Sequence, residues 1–222
     1  MRVVPLLPGA TEMVHFVGAG DALIGVTHER DYPPDAERLP EVTSSEIDQS
    51  MTSAEIDAAV ERRMTDAGSP YALDVGLLEE LAPALILIQS LCDVCAVSTD
   101  IGERVATGLK SEPGVLVLNP TSLRDVLDDA IRLGEALGCG DETRKKVVAL
   151  QTRLAHVESA IARLPRPRVG CIESFDPPFS AGYWVPVLSF RYGPRRRRRG
   201  DLRRVWRTFG APRPRGGLRG RP

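Results

Sequence analysis

Four short apolar runs, each followed by a polar loop and a stretch with helical periodicity, constrain this chain more than any other feature. The runs are Arg2–Leu7, Ala22–Thr27, Ala84–Gln89 and Gly114–Leu118. Each has strand length, and near-continuous apolar strands are those buried on both faces. The first helix is expected over 10–17, with Thr11 and Glu12 in its first turn and a stop at 18–21. A second covers 53–66, capped by Ser53, with Ile56, Ala59, Val60 and Arg63 at helical spacing. Shorter helices are expected over 74–81 and 98–109. Thr121 caps a helix that runs to Leu137 and ends at Gly138; the longest segment, 141–164, would span about 36 Å. A fresh strand at Arg168–Glu173 and an aromatic, proline-rich loop, Phe175–Pro186, follow. Strands alternating with helices predict an α/β fold with a parallel sheet.

The chain has 222 residues, enough for one or two domains, and is 42% hydrophobic. That composition excludes a wholly disordered chain. No apolar run approaches the roughly 18 residues that span a bilayer. The N-terminus does not read as a secretory signal, because Pro5 and Pro8-Gly9 interrupt its apolar stretch. As written, the chain is expected in the cytoplasm, with all four thiols reduced. It would be periplasmic or at the cell surface if the true start lies upstream. The charge is sharply partitioned. Residues 1–186 carry 16 basic and 29 acidic side chains, a net of −13, whereas residues 187–222 carry 13 Arg and only Asp201, a net of +12.

Ligands of open parallel sheets bind beyond the carboxyl ends of the strands. Four loops leave that edge here: Pro8–Glu12, His28–Tyr32, Gln89–Cys95 and Asn119–Ser122. Pro8, Thr11 and Glu12 open a helix directly after a strand, where free N–H groups can meet an anion or carbonyl, or where the turn is simply capped. A single glycine there supports neither a dinucleotide fingerprint nor a phosphate-binding loop. Cys92 and Cys95 form a C-x-x-C that could chelate zinc, work as a redox dithiol, or be two packed thiols. His28 could add a third ligand, and Glu29 or Asp31 a fourth. Tyr183 and Trp184 sit near Phe175 and Phe179 in a chain only 5% aromatic. They offer contact area to a flat ligand or seal a core. No serine sits in a nucleophile elbow, and no acid–base pair has diagnostic spacing.

Several spaced segments together resemble a known family: 2–12, RVVPLLPGATE; 25–34, GVTHERDYPP; 91–98, LCDVCAVS; Asp176–Phe179; and Gly182–Pro186. The chain is similar to the cobalamin-binding, substrate-binding-protein-like family within the iron-siderophore/cobalamin periplasmic binding superfamily. The resemblance implies no enzyme but a solute-binding protein for cobalamin or a related corrinoid or metal chelate, serving an ABC-type importer and its permease. It implies a class III architecture of two α/β lobes joined by one long helix, with ligand held between them. The lobes would be 1–138 and 166–186, the connecting helix 139–165, and the second lobe incomplete. The ligand-binding residues it implies are Pro8, Thr11, Glu12, His28, Glu29, Asp31, Tyr32, Gln89, Cys92, Cys95, Tyr183 and Trp184. Relatives often carry cysteine where Arg30 stands, which weakens a metal-cluster reading of that loop. The alternatives are a Cys/His metal-binding or redox protein, and a nucleic-acid binder acting through the Arg-rich tail. No nucleic acid is expected under the leading reading.

The resemblance stops abruptly after the motif ending at Pro186. Of the 36 residues beyond it, 13 are Arg, 6 are Gly and 4 are Pro. GC-rich codons read out of frame yield such residues, so 187–222 is expected to be a frameshifted tail. It buries too little apolar surface to offset its ordering entropy and is expected to be disordered. The strand at 168–173 would then lack partners, and the product would be poorly soluble. Resequencing the coding DNA around codon 187 should reveal a one-nucleotide shift that restores an acidic, apolar continuation. If no frame does so, the tail is an evolved arm for RNA, DNA or an anionic membrane.

Overall fold

The computed structural model describes residues 1–48, 50–67, 69–89, 99–165, 171–175, 178–180 and 188. It contains, in order, β1 (Val3–Pro5), α1 (Pro8–Val17), β2 (Thr43–Ser45), α2 (Ser53–Ala67), β3 (Tyr71–Leu73) and α3 (Val75–Leu81). There follow β4 (Leu85–Ile88), α4 (Thr99–Gly108), β5 (Gly114–Val117), α5 (Leu123–Ala136), α6 (Gly140–Ile161), β6 (Ile172–Phe175) and β7 (Pro178–Ser180). The chain divides into two compact units, Met1–Ser159 and Ala160–Pro222.

The first unit is built on a parallel sheet in the order β1-β4-β5. Val3 lies opposite Leu85, and Leu85 opposite Gly114. Every residue of β4 is buried. Because side chains alternate across a strand, Leu85 and Leu87 join one apolar cluster and Ile86 and Ile88 another. The first cluster takes Ala10, Val14 and Val17 from α1 and Leu133 from α5. The second takes Leu78 from α3 and Ala106 from α4. The result is helix on sheet on helix. Each fully buried Leu, Ile or Val contributes about 1.5–3 kcal/mol.

Helix starts follow local chemistry. Thr52 and Glu55 form a reciprocal capping pair: the Glu55 carboxylate accepts from the Thr52 N–H at 2.7 Å, and Thr52 Oγ1 accepts from the Glu55 N–H at 3.4 Å. The Thr52 N–H first, and second the Thr52 hydroxyl, which also donates to that carboxylate at 2.7 Å, hold the Glu55 carboxyl below its ordinary range. Asp74 caps α3 through the Leu77 N–H. Ser122 caps α5 through the Asp125 N–H, while Asp125 accepts from the N–H and hydroxyl of Thr121. The caps of α2 and α5 are therefore Thr52 and Ser122, one residue away from the expected Ser53 and one from Thr121. α1 starts two residues early, with Pro8 in its first turn, and no acidic residue stands in that turn. Pro lacks an N–H that would go unused there, so it suits the position. Gly18, at φ 93°, closes the helix.

Two expected strands change. Ala22–Thr27 is not a strand. It makes one parallel bridge, Val3 to Leu23, then a second, Val26 to Glu41. Gly25 explains the departure: a Cβ there would meet Leu81 Cδ1 at 2.8 Å and Val42 at 3.0 Å, so the chain dives under α3 instead of following β1. The antiparallel pair β2–β3, three residues each, was not foreseen. In the second unit β6 has a partner, contrary to expectation. It pairs antiparallel with β7, Ile172 opposite Ser180, within a segment read as loop. The Arg-rich tail lies outside the described residues, apart from Leu188.

α6 packs through Thr143, Val147, Leu150 and Leu154 against α1 and α5. Val148 and Val157 stand on its solvent side, 60% and 42% exposed. Lys146 Nζ donates to the Phe16 carbonyl at 2.8 Å and so ties α6 to the end of α1. Among the described residues no helix is long and apolar enough to cross a membrane. The α5–α6 approach is close: a Cβ on Gly134 would meet the Thr143 side chain well inside contact distance. Gly134→Ala should therefore destabilise the fold by about 1–3 kcal/mol through overpacking, read from the denaturation midpoint. An unchanged midpoint would show that the two helices separate freely.

Candidate functional site

The carboxyl ends of β1, β4 and β5 lie on one edge because the strands are parallel. The ladder extends one step past them: the Leu6 N–H reaches the Leu87 carbonyl, and the Leu118 N–H the Ile88 carbonyl, each at 2.8 Å. The loops at Pro8, Gln89 and Asn119 therefore leave from one level. Leu23 bridges Val3 in parallel, and the chain then turns to Glu41 and Thr43, against which His28 is held.

His28 is half-buried. Its Nδ1 lies 2.7 Å from the hydroxyl of buried Thr43, and the same oxygen accepts the His28 backbone N–H at 3.1 Å. The imidazole tilts by 49° over the Tyr71 ring at 5.7 Å. Tyr71 donates its phenol to Glu29 at 3.4 Å. Burial, then the neighbouring Glu29 carboxylate, pushes the Tyr71 phenol up to about 12. Arg30 secures the loop from behind: it pairs with Glu41 at 2.5 Å and donates to the carbonyls of His28 and Glu37. Asp31 and Tyr32 are exposed, Tyr32 by 57%, ahead of the cis Tyr32–Pro33 bond.

At the β5 end, Arg132 bonds Asp129 at 2.6 Å and the Val117 carbonyl at 3.3 Å. Asp129 is buried, and its second oxygen has no partner among the described residues. Burial raises its carboxyl, and the Arg132 hydrogen bond opposes that rise. Pro8 is half-buried, while Glu12 is exposed on α1. Thr11 is fully buried with an unpaired hydroxyl, so it lies beneath the edge, away from solvent. Gln89 is half-buried and engaged. Cys92, Cys95, Tyr183 and Trp184 lie outside the described residues. Cys139 and Cys171 are free thiols. No group of three or more metal-ligating side chains gathers among the described residues. Sequence reasoning missed Thr43, Tyr71, Asp129 and Arg132. An open depression of about 580 Å³ sits where α1 and α5 end and α6 begins, the opposite end of the helices. Its cations are already engaged, Arg144 by Glu135 and Asp141 and Lys146 by Phe16.

The fold that carries this edge is shared with solved solute-binding proteins. Periplasmic vitamin B12 binding protein BtuF of Vibrio cholerae superposes with a TM-score of 0.64 at 18% identity, over 88% of this chain and 65% of that one. A possible iron-binding, periplasmic solute-binding protein of Staphylococcus epidermidis gives 0.63 at 16%, over 88% and 66%. Periplasmic heme-binding protein RhuT of Roseiflexus sp. RS-1 gives 0.55 at 18%, over 78% and 54%. The chain thus has the class III periplasmic-binding-protein fold, over somewhat less than two thirds of those proteins' length. No family profile matches it. A 43-residue stretch is 49% identical to the vitamin B12-binding protein of Pectobacterium carotovorum, covering 19% of this chain and 16% of that protein. The counterpart from Pectobacterium atrosepticum matches equally, over 15% of its length.

The elevated phenol makes a pH prediction. An ordinary tyrosine ionises near ~10, and Tyr71 at about 12. Between those values only the unfolded chain gives up this proton. The stability that Tyr71 contributes is therefore complete below about 10 and lost as pH rises toward 12. Tyr71→Phe should flatten that alkaline limb of the stability curve and remove the last tyrosinate step at 295 nm. A wild-type titration with every tyrosine ionising together would overturn the assignment.

Proposed function

We propose that this chain is a solute-binding protein for cobalamin or a related corrinoid or metal chelate, delivering it to the permease of an ABC-type importer. One observation carries the reading: on this fold, a continuous segment is 49% identical to proteins named as vitamin B12-binding. The neighbours named for heme and iron support the broader class, a bulky metal-centred chelate. The carboxyl edge of the sheet is the ligand face, offering Pro8, the outer edge of His28, Asp31, Tyr32 and Gln89. A ligand of this size is held by buried area and a few directed polar contacts rather than one charge pair. Binding, not catalysis, is the role, and the periplasmic neighbours favour work outside the cytoplasmic membrane. The redox and nucleic-acid readings draw no support from these likenesses.

Titrating the full chain with cyanocobalamin, ferric haem and a ferric siderophore tests the reading. Saturable, one-to-one binding of cyanocobalamin is expected. Tyr32→Ala should weaken it by about 1 kcal/mol, roughly fivefold. Preferential binding of haem or siderophore would move the assignment within the chelate class. Binding of none would overturn it.

A further inference from the structure

We infer that Asp129 and Arg132 are positioning residues for the ligand, acting through the Asn119–Ser122 loop, whose exit from the sheet they fix on the open side of β5. The inference rests on the carboxyl edge being the ligand face. Among the described residues β5 pairs with β4 alone. Along a parallel strand the backbone groups of successive residues face opposite sides. The Leu118 N–H points inward, to the Ile88 carbonyl at 2.8 Å. The groups of Val117 and Asn119 therefore face outward, and α5 supplies their partners. Arg132 Nη1 donates to the Val117 carbonyl at 3.3 Å and to Asp129 Oδ1 at 2.6 Å. The Asn119 N–H donates to the Asp129 carboxylate and favours its charged form. Two side chains one helical turn apart thus replace a rung of the ladder. The far end of the loop is held as well. Ser122 accepts the Asp125 N–H at 3.2 Å, and Asp125 accepts the Thr121 N–H and hydroxyl at 2.9 and 2.7 Å. Between these anchors Asn119 and Thr121 are exposed.

Stability does not explain the pair. Asp129 is only 6% exposed, next to buried Leu127, Ala130 and Leu133 on the same helix. Its Oδ2 has no partner among the described residues. Burial pushes the carboxyl up, and the Arg132 hydrogen bond only opposes that rise. A buried carboxylate left with an unsatisfied oxygen costs the fold more than an apolar side chain of similar volume. What the pair supplies is geometry at the point where β5 becomes a ligand-face loop. A loop already ordered in the free protein does not have to be ordered when the ligand arrives.

The experiment replaces the pair in the full chain by apolar side chains, Asp129→Val together with Arg132→Met. It reads the denaturation midpoint, hydrogen exchange at the Asn119 amide, and affinity for cyanocobalamin. The midpoint should be unchanged or higher. Exchange at Asn119 should quicken, and affinity should fall, each by about tenfold. Arg132→Lys keeps a cationic donor and should hold affinity within about threefold of the wild type. Where the double variant fails to fold, Arg132→Met alone carries the same readouts. A midpoint that falls makes the pair structural and overturns the inference, whatever the affinity does. Unchanged exchange at Asn119 overturns it too, since the loop is then held by something else. Faster exchange with unchanged affinity shows a loop that does not serve the ligand, and the inference fails while the corrinoid reading stands. If the wild-type chain binds none of cyanocobalamin, ferric haem and the ferric siderophore, the ligand face itself fails, and the inference with it.

Discussion

Burial of β4 on both faces is the constraint from which the rest of the first unit follows. A strand with Leu85, Ile86, Leu87 and Ile88 all buried must have a helix layer above and below and a hydrogen-bonded neighbour on either side. α1 and α5 cover one face and α3 and α4 the other. β1 and β5 fill the two sides in parallel register. Parallel pairing then obliges each strand to leave at the same edge, which is why loops distant in sequence converge there. The convergence of these loops is a consequence of the core.

The loop at 28–38 buries Ala36, and its polar anchors set the rest of its course. Arg30 joins three points, the Glu41 carboxylate and the carbonyls of His28 and Glu37. Its side chain is 18% exposed, against 46% for Glu41, so the pair keeps access to solvent and its Coulomb energy is modest. Its larger contribution is geometric, because a planar guanidinium can satisfy several acceptors at fixed angles. The loop is thus organised around hydrogen bonds, with Asp31 and Tyr32 left exposed.

The parts of this design that were legible in the sequence are those with long-range periodicity. Leu85–Ile88 and the helix that Ser122 caps announce themselves by apolar spacing, and the parallel sheet follows from their alternation. Cap positions moved by a residue because Thr52 and Ser53, or Thr121 and Ser122, are chemically equivalent until the chain geometry chooses between them. The pair β2–β3 was invisible for a different reason. Three residues hold too little alternation to register, and Thr43–Ser45 looks like loop composition. Tyr71 and Thr43 were missed with it, since their meeting with His28 depends on that pairing. Ala22–Thr27 misled in the opposite sense: its composition is strand-like, but Gly25 lets it pass close beneath Leu81 and Val42 and so leave the sheet.

The anchors at the edge share one energetic character. His28 on Thr43, Tyr71 on Glu29 and Asp129 on Arg132 are each one or two hydrogen bonds, worth about 1 kcal/mol apiece in net terms. Such contacts bias a loop toward one geometry without locking it as a packed core would. Ordering that is already present in the free protein does not have to be supplied when a ligand arrives, so weak anchors still raise affinity. They also leave the edge able to adjust by a few tenths of an ångström at small cost. A rigid sheet carrying loops of this kind can accept ligands of different outline by changing loop residues alone. Solved proteins of this fold are named for vitamin B12, heme and iron, as a scaffold divided in this way between apolar core and hydrogen-bonded rim would allow.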